Sequence, residues 1–258
     1  MLWSVSRQAR TAWHQATDGS PAPYRFILRV ALPLVVAGTT WTALRPTINA
    51  ALGTLPDPER AQAGFGVVLP FVLATCSPLW IMHNVTLVLP RSVRDVRIVA
   101  RFAAGTSLFF ALLVLLVTWT GLRHWLLGEV FGLNDALAAD VTPAIRIVAV
   151  EPFLLAGRGF AQGILMHARR TEVMLYAAPV KLVVVGALGL SVAHHSPEVN
   201  GALLGTALFL AADLVDAGVF LYTARRLLRA GRVFERVAMP AAPEAVPLSG
   251  RDPESQRV

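Results

Sequence analysis

The stretch Leu89-Pro90-Arg91-Ser92-Val93-Arg94-Asp95-Val96-Arg97-Ile98-Val99-Ala100-Arg101 sets four arginines between two long apolar runs. Lys and Arg near the ends of spanning helices are held on the cytoplasmic side of a membrane, so this gap reads as a cytoplasmic loop. The same marking recurs at every second gap. Arg7, Arg10, Arg25 and Arg29 precede the first apolar run, Arg169 and Arg170 follow the fourth, and Arg225, Arg226, Arg229, Arg232 and Arg236 follow the sixth. The intervening gaps hold only Arg60 and Arg123, so fifteen arginines stand against two. That bias predicts an even number of crossings with both termini cytoplasmic.

Composition agrees with residence in lipid. Hydrophobic residues make up 55% of the 258 and charged ones only 15%, with a mean hydropathy of +0.58, whereas soluble domains carry about 25% charge. A spanning helix needs about 20 apolar residues. Six windows meet this: Ile27 to Leu52, Gly64 to Leu89, Val99 to Gly121, Val141 to His167, Val173 to Ala193, and Val199 to Tyr222. The expected fold class is therefore an all-α integral membrane protein, about six transmembrane helices in one bundle over residues 27–230, in the cell inner (plasma) membrane. Several windows exceed the minimum, which predicts tilt or kinking.

The net charge of +7 would suggest nucleic acid in a soluble protein. Here the cations are spread over juxtamembrane loops, where anionic headgroups attract them, so the expected partner is the lipid bilayer and not nucleic acid. Cys76 is the single cysteine and lies in an apolar window, which leaves no disulfide framework.

Residues 1–26 lack the short apolar region and cleavage site of a signal peptide. Leu2, Trp3, Val5, Ala9 and Trp13 could line one side of an interfacial helix, or the segment could be a disordered tail; both readings stay open. Residues 231–258, with Pro240, Pro243, Pro247 and Pro253 among small and charged residues, read as a disordered cytoplasmic tail. Leu122, Trp125, Leu126, Val130 and Leu133 recur at near-helical spacing and predict a short helix on the outer surface. Leu55-Pro56-Asp57-Pro58-Glu59 and His195-Ser196-Pro197 read as tight turns.

With small loops and no GxxxxGK[ST] phosphate loop, the chemistry falls to polar groups inside the apolar windows. Such groups are costly, and by default they suggest a pathway or a binding site. They are Arg45 and Asn49 in the first window, His83 and Asn84 in the second, Arg146, Glu151 and Arg158 in the fourth, Lys181 in the fifth, and Asp213 and Asp216 in the sixth.

Lys181 lies ten residues from Thr171 and Glu151 ten from Val141. At a rise of about 1.5 Å each is roughly 15 Å deep, near the midplane. A lysine cannot comfortably snorkel from there, so Lys181 either meets an anion such as Glu151 or faces water. Glu151 and Arg158 are two turns apart and share a face; Arg146 is rotated away from them, with Pro152 able to kink the segment. Arg158 stands at the depth of Asp213 and Asp216, as a salt-bridge brace or as a cation or proton site. Arg45 either snorkels outward or offers a guanidinium to an anion in a central cavity, and Asn49 shares its face. His83 suits interhelical hydrogen bonding or a proton relay. No metal pair or activated nucleophile is placed in the bilayer, and His194 and His195, being adjacent, point in different directions. An enzyme, a cofactor and a metal site are accordingly not expected.

Three passages resemble the progressive ankylosis transporter family, within the multidrug/oligosaccharidyl-lipid/polysaccharide exporter superfamily: Leu32-Pro33-Leu34-Val35-Val36; Ser77-Pro78-Leu79-Trp80 through His83-Asn84-Val85 to Leu89-Pro90-Arg91-Ser92-Val93-Arg94-Asp95; and Glu151-Pro152-Phe153-Leu154 to Gly163-Ile164-Leu165-Met166. The resemblance covers roughly Val30 to Arg229. It implies one half of a transporter usually built from two six-helix bundles around a central cavity. An even number of spans lets two copies pair in parallel, as a homodimer or with another half-size subunit. The implied function is a secondary transporter or flippase, not ATP-driven, exporting an anionic or amphiphilic solute, small or lipid-linked.

Carried over by position, Arg158 and Lys181 fall where the resemblance places embedded basic residues, and Asn49 falls in the polar part of the first helix. The expected substrate contacts are thus Arg45, Asn49, Arg158 and Lys181, with Glu151, Asp213, Asp216 and His83 in coupling or ion pairing. The acidic ion site that the multidrug branch has early in its first helix has no counterpart, because Ala31 to Leu44 contains no carboxylate. The competing expectation is a non-transporting membrane scaffold or assembly subunit, which predicts that the embedded charges are internal pairs.

Overall fold

A computed structural model of the chain describes residues 24–196, 198–231 and 233. The expectations for the N-terminal segment before residue 24 and for the tail beyond 233 lie outside the described residues. All described regular structure is helical. The elements are α1 (Tyr24–Leu52), α2 (Pro58–Cys76), a 3-10 turn Ser77–Ile81, α3 (Met82–Val88) and α4 (Val93–Trp119), then a wide-turn segment at Trp125–Val130. They continue as α5 (Asp135–Ile147), a 3-10 turn Val148–Val150, α6 (Glu151–His167), α7 (Glu172–His195) and α8 (Gly201–Arg229).

Among the described residues four stretches are long and apolar enough to cross a membrane: Pro58–Val88, Val93–Trp119, Glu172–His195 and Gly201–Arg229. The other two apolar windows are helical, the first continuous and the fourth interrupted. The first lies in α1, which carries Pro33 and Pro46 internally and Arg45 between them. The fourth is divided at Val148–Val150 into helices of 13 and 17 residues. The break falls just before Pro152, whose ring removes a backbone donor. Pro78 sits likewise in the turn that divides α2 from α3.

Helix starts follow from capping. Ser92 accepts from the Asp95 amide at 3.3 Å, Asn134 from Leu137 at 2.9 Å and Asn200 from Leu203 at 2.9 Å, and Pro58 opens α2 at a position where its missing N–H costs nothing. Within the helices, buried hydroxyls are satisfied locally: Thr86 donates to the Met82 carbonyl, Ser107 to Ala103 and Thr206 to Ala202. This is the pattern a membrane interior requires, where no water completes a polar group.

α8 is the hub, packing against α6, α7, α2, α5 and α1. α1 lies mainly on α7, and α3 lies on α6. The α3–α6 approach is close because Gly159 and Gly163 face it. A Cβ on Gly163 would stand 2.5 Å from the Thr86 Cβ and 2.6 Å from the His83 carbonyl, so only glycine fits.

The alternation of loops is visible in how the ends gather. Leu55, Arg60, Asp140, Asn200 and Gly201 line one pocket at one end, where Arg60 pairs with Asp140. At the other end Val93 and Arg97 meet Arg225 and Leu228, and His167 lies 3.2 Å from the Leu87 carbonyl. Among the described residues, the helix ends beside the arginine-marked gaps after the second, fourth and sixth runs thus lie near one another. In the connection after α4, Leu127 is buried and Leu126, Phe131 and Leu133 pack on the core, while Leu122, Trp125 and Val130 stay exposed. The predicted amphipathic segment is there, wound mostly as a wide helix.

Candidate functional site: a buried charge cluster beside a cavity

Three helices bring five ionisable side chains toward one region. α6 contributes Glu151 and Arg158, two turns apart; α7 contributes Lys181; α8 contributes Asp213 and Asp216, less than one turn apart. Arg158 Nη1 donates to Asp213 Oδ1 and lies 3.7 Å from Asp216 Oδ2. Lys181 Nζ donates to the same Asp216 Oδ2 at 2.6 Å, so Asp216 bridges both cations. Four are sequestered, Glu151 at 1% exposed, Asp213 0%, Lys181 3% and Asp216 5%, while the Arg158 side chain keeps 17% of its surface exposed.

Charges are tolerable in such a place only when paired and hydrogen-bonded, yet the count is uneven. Three carboxylates share two cations. Glu151 takes no cation directly; it lies against Asp213 and within electrostatic reach of Arg158. Glu151 Oε2 and Asp213 Oδ2 are both buried and meet no donor. The cations, for their part, are not saturated. A guanidinium carries five N–H donors and an ammonium three, and the ion pairs described use only Nη1 and one ammonium contact.

Those spare donors border open space. One lobe, of about 230 Å³, is lined by Gly38 and Trp41 from α1, Arg158 and Gln162 from α6, and Lys181 and Asp216 from α7 and α8. A second, of about 270 Å³, is lined by Trp41, Trp80, His83, Leu155, Arg158 and Gln162. Arg158, Trp41 and Gln162 are common to both. Trp41 packs edge-on against Trp80 (centroids 6.0 Å) and Phe209 (5.6 Å). The Arg158 guanidinium stands 5.4 Å from its ring centre, within cation–π range.

The structure therefore brings together Arg158, Lys181, Asp213, Asp216 and Glu151. It sets His83 at the rim of the second lobe, its Nδ1 2.6 Å from the Trp80 carbonyl. Lys181, expected to meet an anion such as Glu151 or to face water, meets the anion Asp216. Arg45 is not in this group: it is exposed and lines another cavity, with Trp41, Leu69, Leu73 and Phe209. Asn49 lines neither lobe, and its carbonyl accepts from the Gln62 side chain at 3.2 Å. Arg146 is also exposed, 4.9 Å above the Trp119 ring, with the 3-10 turn between it and Glu151.

Trp41 and Gln162 are site residues that charge-based reading passed over. Gln162 had a signal, because it is four residues after Arg158 and shares its face. Trp41 had none, being one aromatic in an apolar window. Gly159-Phe160-Ala161-Gln162-Gly163 also spelled the small-xxx-small contact that seats α3. Among the described residues no three His, Cys, Asp or Glu side chains converge as a metal site.

Helices able to cross a membrane, with a buried charge cluster beside a cavity, define the class to which this protein conforms: an all-helical protein of membrane type. No family model, curated protein or solved structure matches the chain.

Proposed function

We propose that the chain is a half-size subunit of a secondary transporter or flippase, akin to the progressive ankylosis transporters, with both termini in the cytoplasm. Two such bundles, alike or unlike, enclose the path of an anionic or amphiphilic solute. The observation that carries this reading is the position of Arg158, which holds two buried aspartates and at the same time lines both lobes of the cavity.

The interrupted helices support it. The turns at Ser77–Ile81 and Val148–Val150 place non-α-helical backbone beside Trp80 and Glu151, and at membrane depth such backbone is tolerated where it is buried in protein or lines a cavity. The uneven charge count sharpens the mechanism. With one carboxylate in excess, the cluster accepts one cation, a proton being the simplest, between Glu151 Oε2 and Asp213 Oδ2. The spare donors of Arg158 and Lys181 take the solute anion from the cavity side. Loading one changes the charge felt by the other, which is the coupling a secondary transporter needs.

The test is efflux from proteoliposomes by the wild type, by Glu151→Gln, and by Lys181→Gln combined with Asp216→Asn, which removes a charge pair while keeping a hydrogen bond. Loss of pH dependence in Glu151→Gln and loss of solute transport in the double variant, both well folded, are expected. Unchanged transport in both would remove the site. The mass of the purified particle in lipid tests the second half of the reading, since a stable monomer leaves the cavity without its other wall.

A scaffold or assembly subunit is the second reading, and one observation favours it: the embedded charges are internal pairs. It predicts that crosslinking in membranes recovers an unlike protein with no self-association, and that the double variant above changes stability alone.

A further inference from the structure

A separate groove opens on the outside of the bundle, between α4, α6 and α8. Its volume is about 730 Å³, far larger than either lobe of the charge cavity. Its floor is apolar, built by small residues of α4 such as Ala100 and Ala104 with Phe153 and Phe160 of α6 along one side. At one end two arginines stand over it, Arg97 in the second turn of α4 and Arg225 in the last turns of α8. Both are exposed, and neither makes an ion pair among the described residues.

We propose that this groove binds one anionic phospholipid, its phosphate held by Arg97 and Arg225 and an acyl chain laid along α4 toward Ser107. Three features select that occupant. A guanidinium matches a phosphate through paired N–H donors. The groove runs from Arg97 to Ser107, ten residues, or about 15 Å at 1.5 Å per residue, which is the depth of one leaflet of a core about 30 Å thick. Finally, a second copy of the chain seated here would bring like charges together at the rim. The inference rests on residence in a bilayer and stands whether or not the bundle transports a solute.

The test reads phosphatidylglycerol retained per chain, by native mass spectrometry, after extraction from vesicles of phosphatidylcholine with a minor share of phosphatidylglycerol. Arg97→Gln with Arg225→Gln lowers retention about thirtyfold, each arginine near an anionic lipid surface being worth about 1 kcal/mol. Ala104→Phe, which fills the groove and keeps both arginines, lowers it as well; Ala100→Leu is the smaller filler should the first variant unfold. Arg94→Gln with Arg229→Gln removes the same charge from the same end outside the groove and leaves retention near wild type. An equal loss in that control means diffuse headgroup attraction and overturns the site. So does retention that survives the fillers, and so does a filler that turns dimers into monomers with lipid unchanged, which would give the groove to a second copy.

Discussion

α8 and α4 are of similar length, and both are apolar enough to cross a membrane, yet 61% of the α8 span is buried inside the bundle against 28% of the α4 span. α8 carries Asp213 and Asp216 within it, both buried and bound to cations of α6 and α7. α4 carries no charge between Arg101 and Trp119 and turns Leu108, Phe109, Leu112 and Leu116 outward. Lipid is as apolar as leucine, so hydrophobicity alone cannot tell a central helix from a peripheral one. Embedded charge can, since a carboxylate facing lipid is far costlier than one facing a cation.

Substitutions can break this contrast. The largest effect is expected at its centre: Arg158→Ala leaves Asp213 and Asp216 without their shared guanidinium, and losing one partner of a buried pair costs about 3–5 kcal/mol. Thermal unfolding in detergent would show it, and a shift no larger than that of a surface variant would mean that water already reaches the cluster. Next is the packing of α3 on α6. Gly163→Val drives a side chain into Thr86 and the His83 carbonyl and is expected to cost about 1–3 kcal/mol or more, read the same way.

A smaller effect is expected from the bridge at Asp216. In a double-mutant cycle of Lys181→Gln and Asp216→Asn the coupling should be about 0.5–3 kcal/mol; additive losses would show that the 2.6 Å contact contributes nothing to stability. Trp41→Leu removes the ring that Arg158 faces and that lines both the site cavity and that of Arg45, at roughly 1–2 kcal/mol for the lost cation–π contact. Its sharper readout is access: a water-soluble thiol reagent should label a cysteine introduced at Gln162 faster in the Trp41→Leu background. At the far end of the scale, Leu112→Ala on α4 should stay within about 0.5 kcal/mol in detergent. A loss as large as that at Arg158 would place α4 at an interface instead of in lipid.

Much of this contrast was readable in the chain. The third apolar window is the one that contributes none of the embedded polar residues named above, and it became the least buried of the four long apolar spans. Asp213 and Asp216, three apart, pointed to one face, and Arg158 was rightly placed at their depth. What could not be read was partnership across helices. Depth counts put Lys181 level with Glu151, but the rotation of α7 about its axis, which depends on its packing against α1 and α8, turned it to Asp216. Arg45 counted equally with Arg158 as an embedded cation, and only the tertiary structure assigns the two to different cavities. The interruption at Val148–Val150 was announced by Pro152 as a kink, though not as the division of one window into two helices.

The amino-acid sequence by itself determined the all-helical, apolar character of the protein, because the length and apolar content of a helix are properties of each segment taken singly. Which cation meets which carboxylate, which oxygens are left without a donor, and where the cavities open were decided only by the tertiary structure. Those depend on the rotation and approach of helices that are far apart in the chain. Glycines such as Gly163, together with the buried charges, set that approach jointly, so no single segment contains the answer.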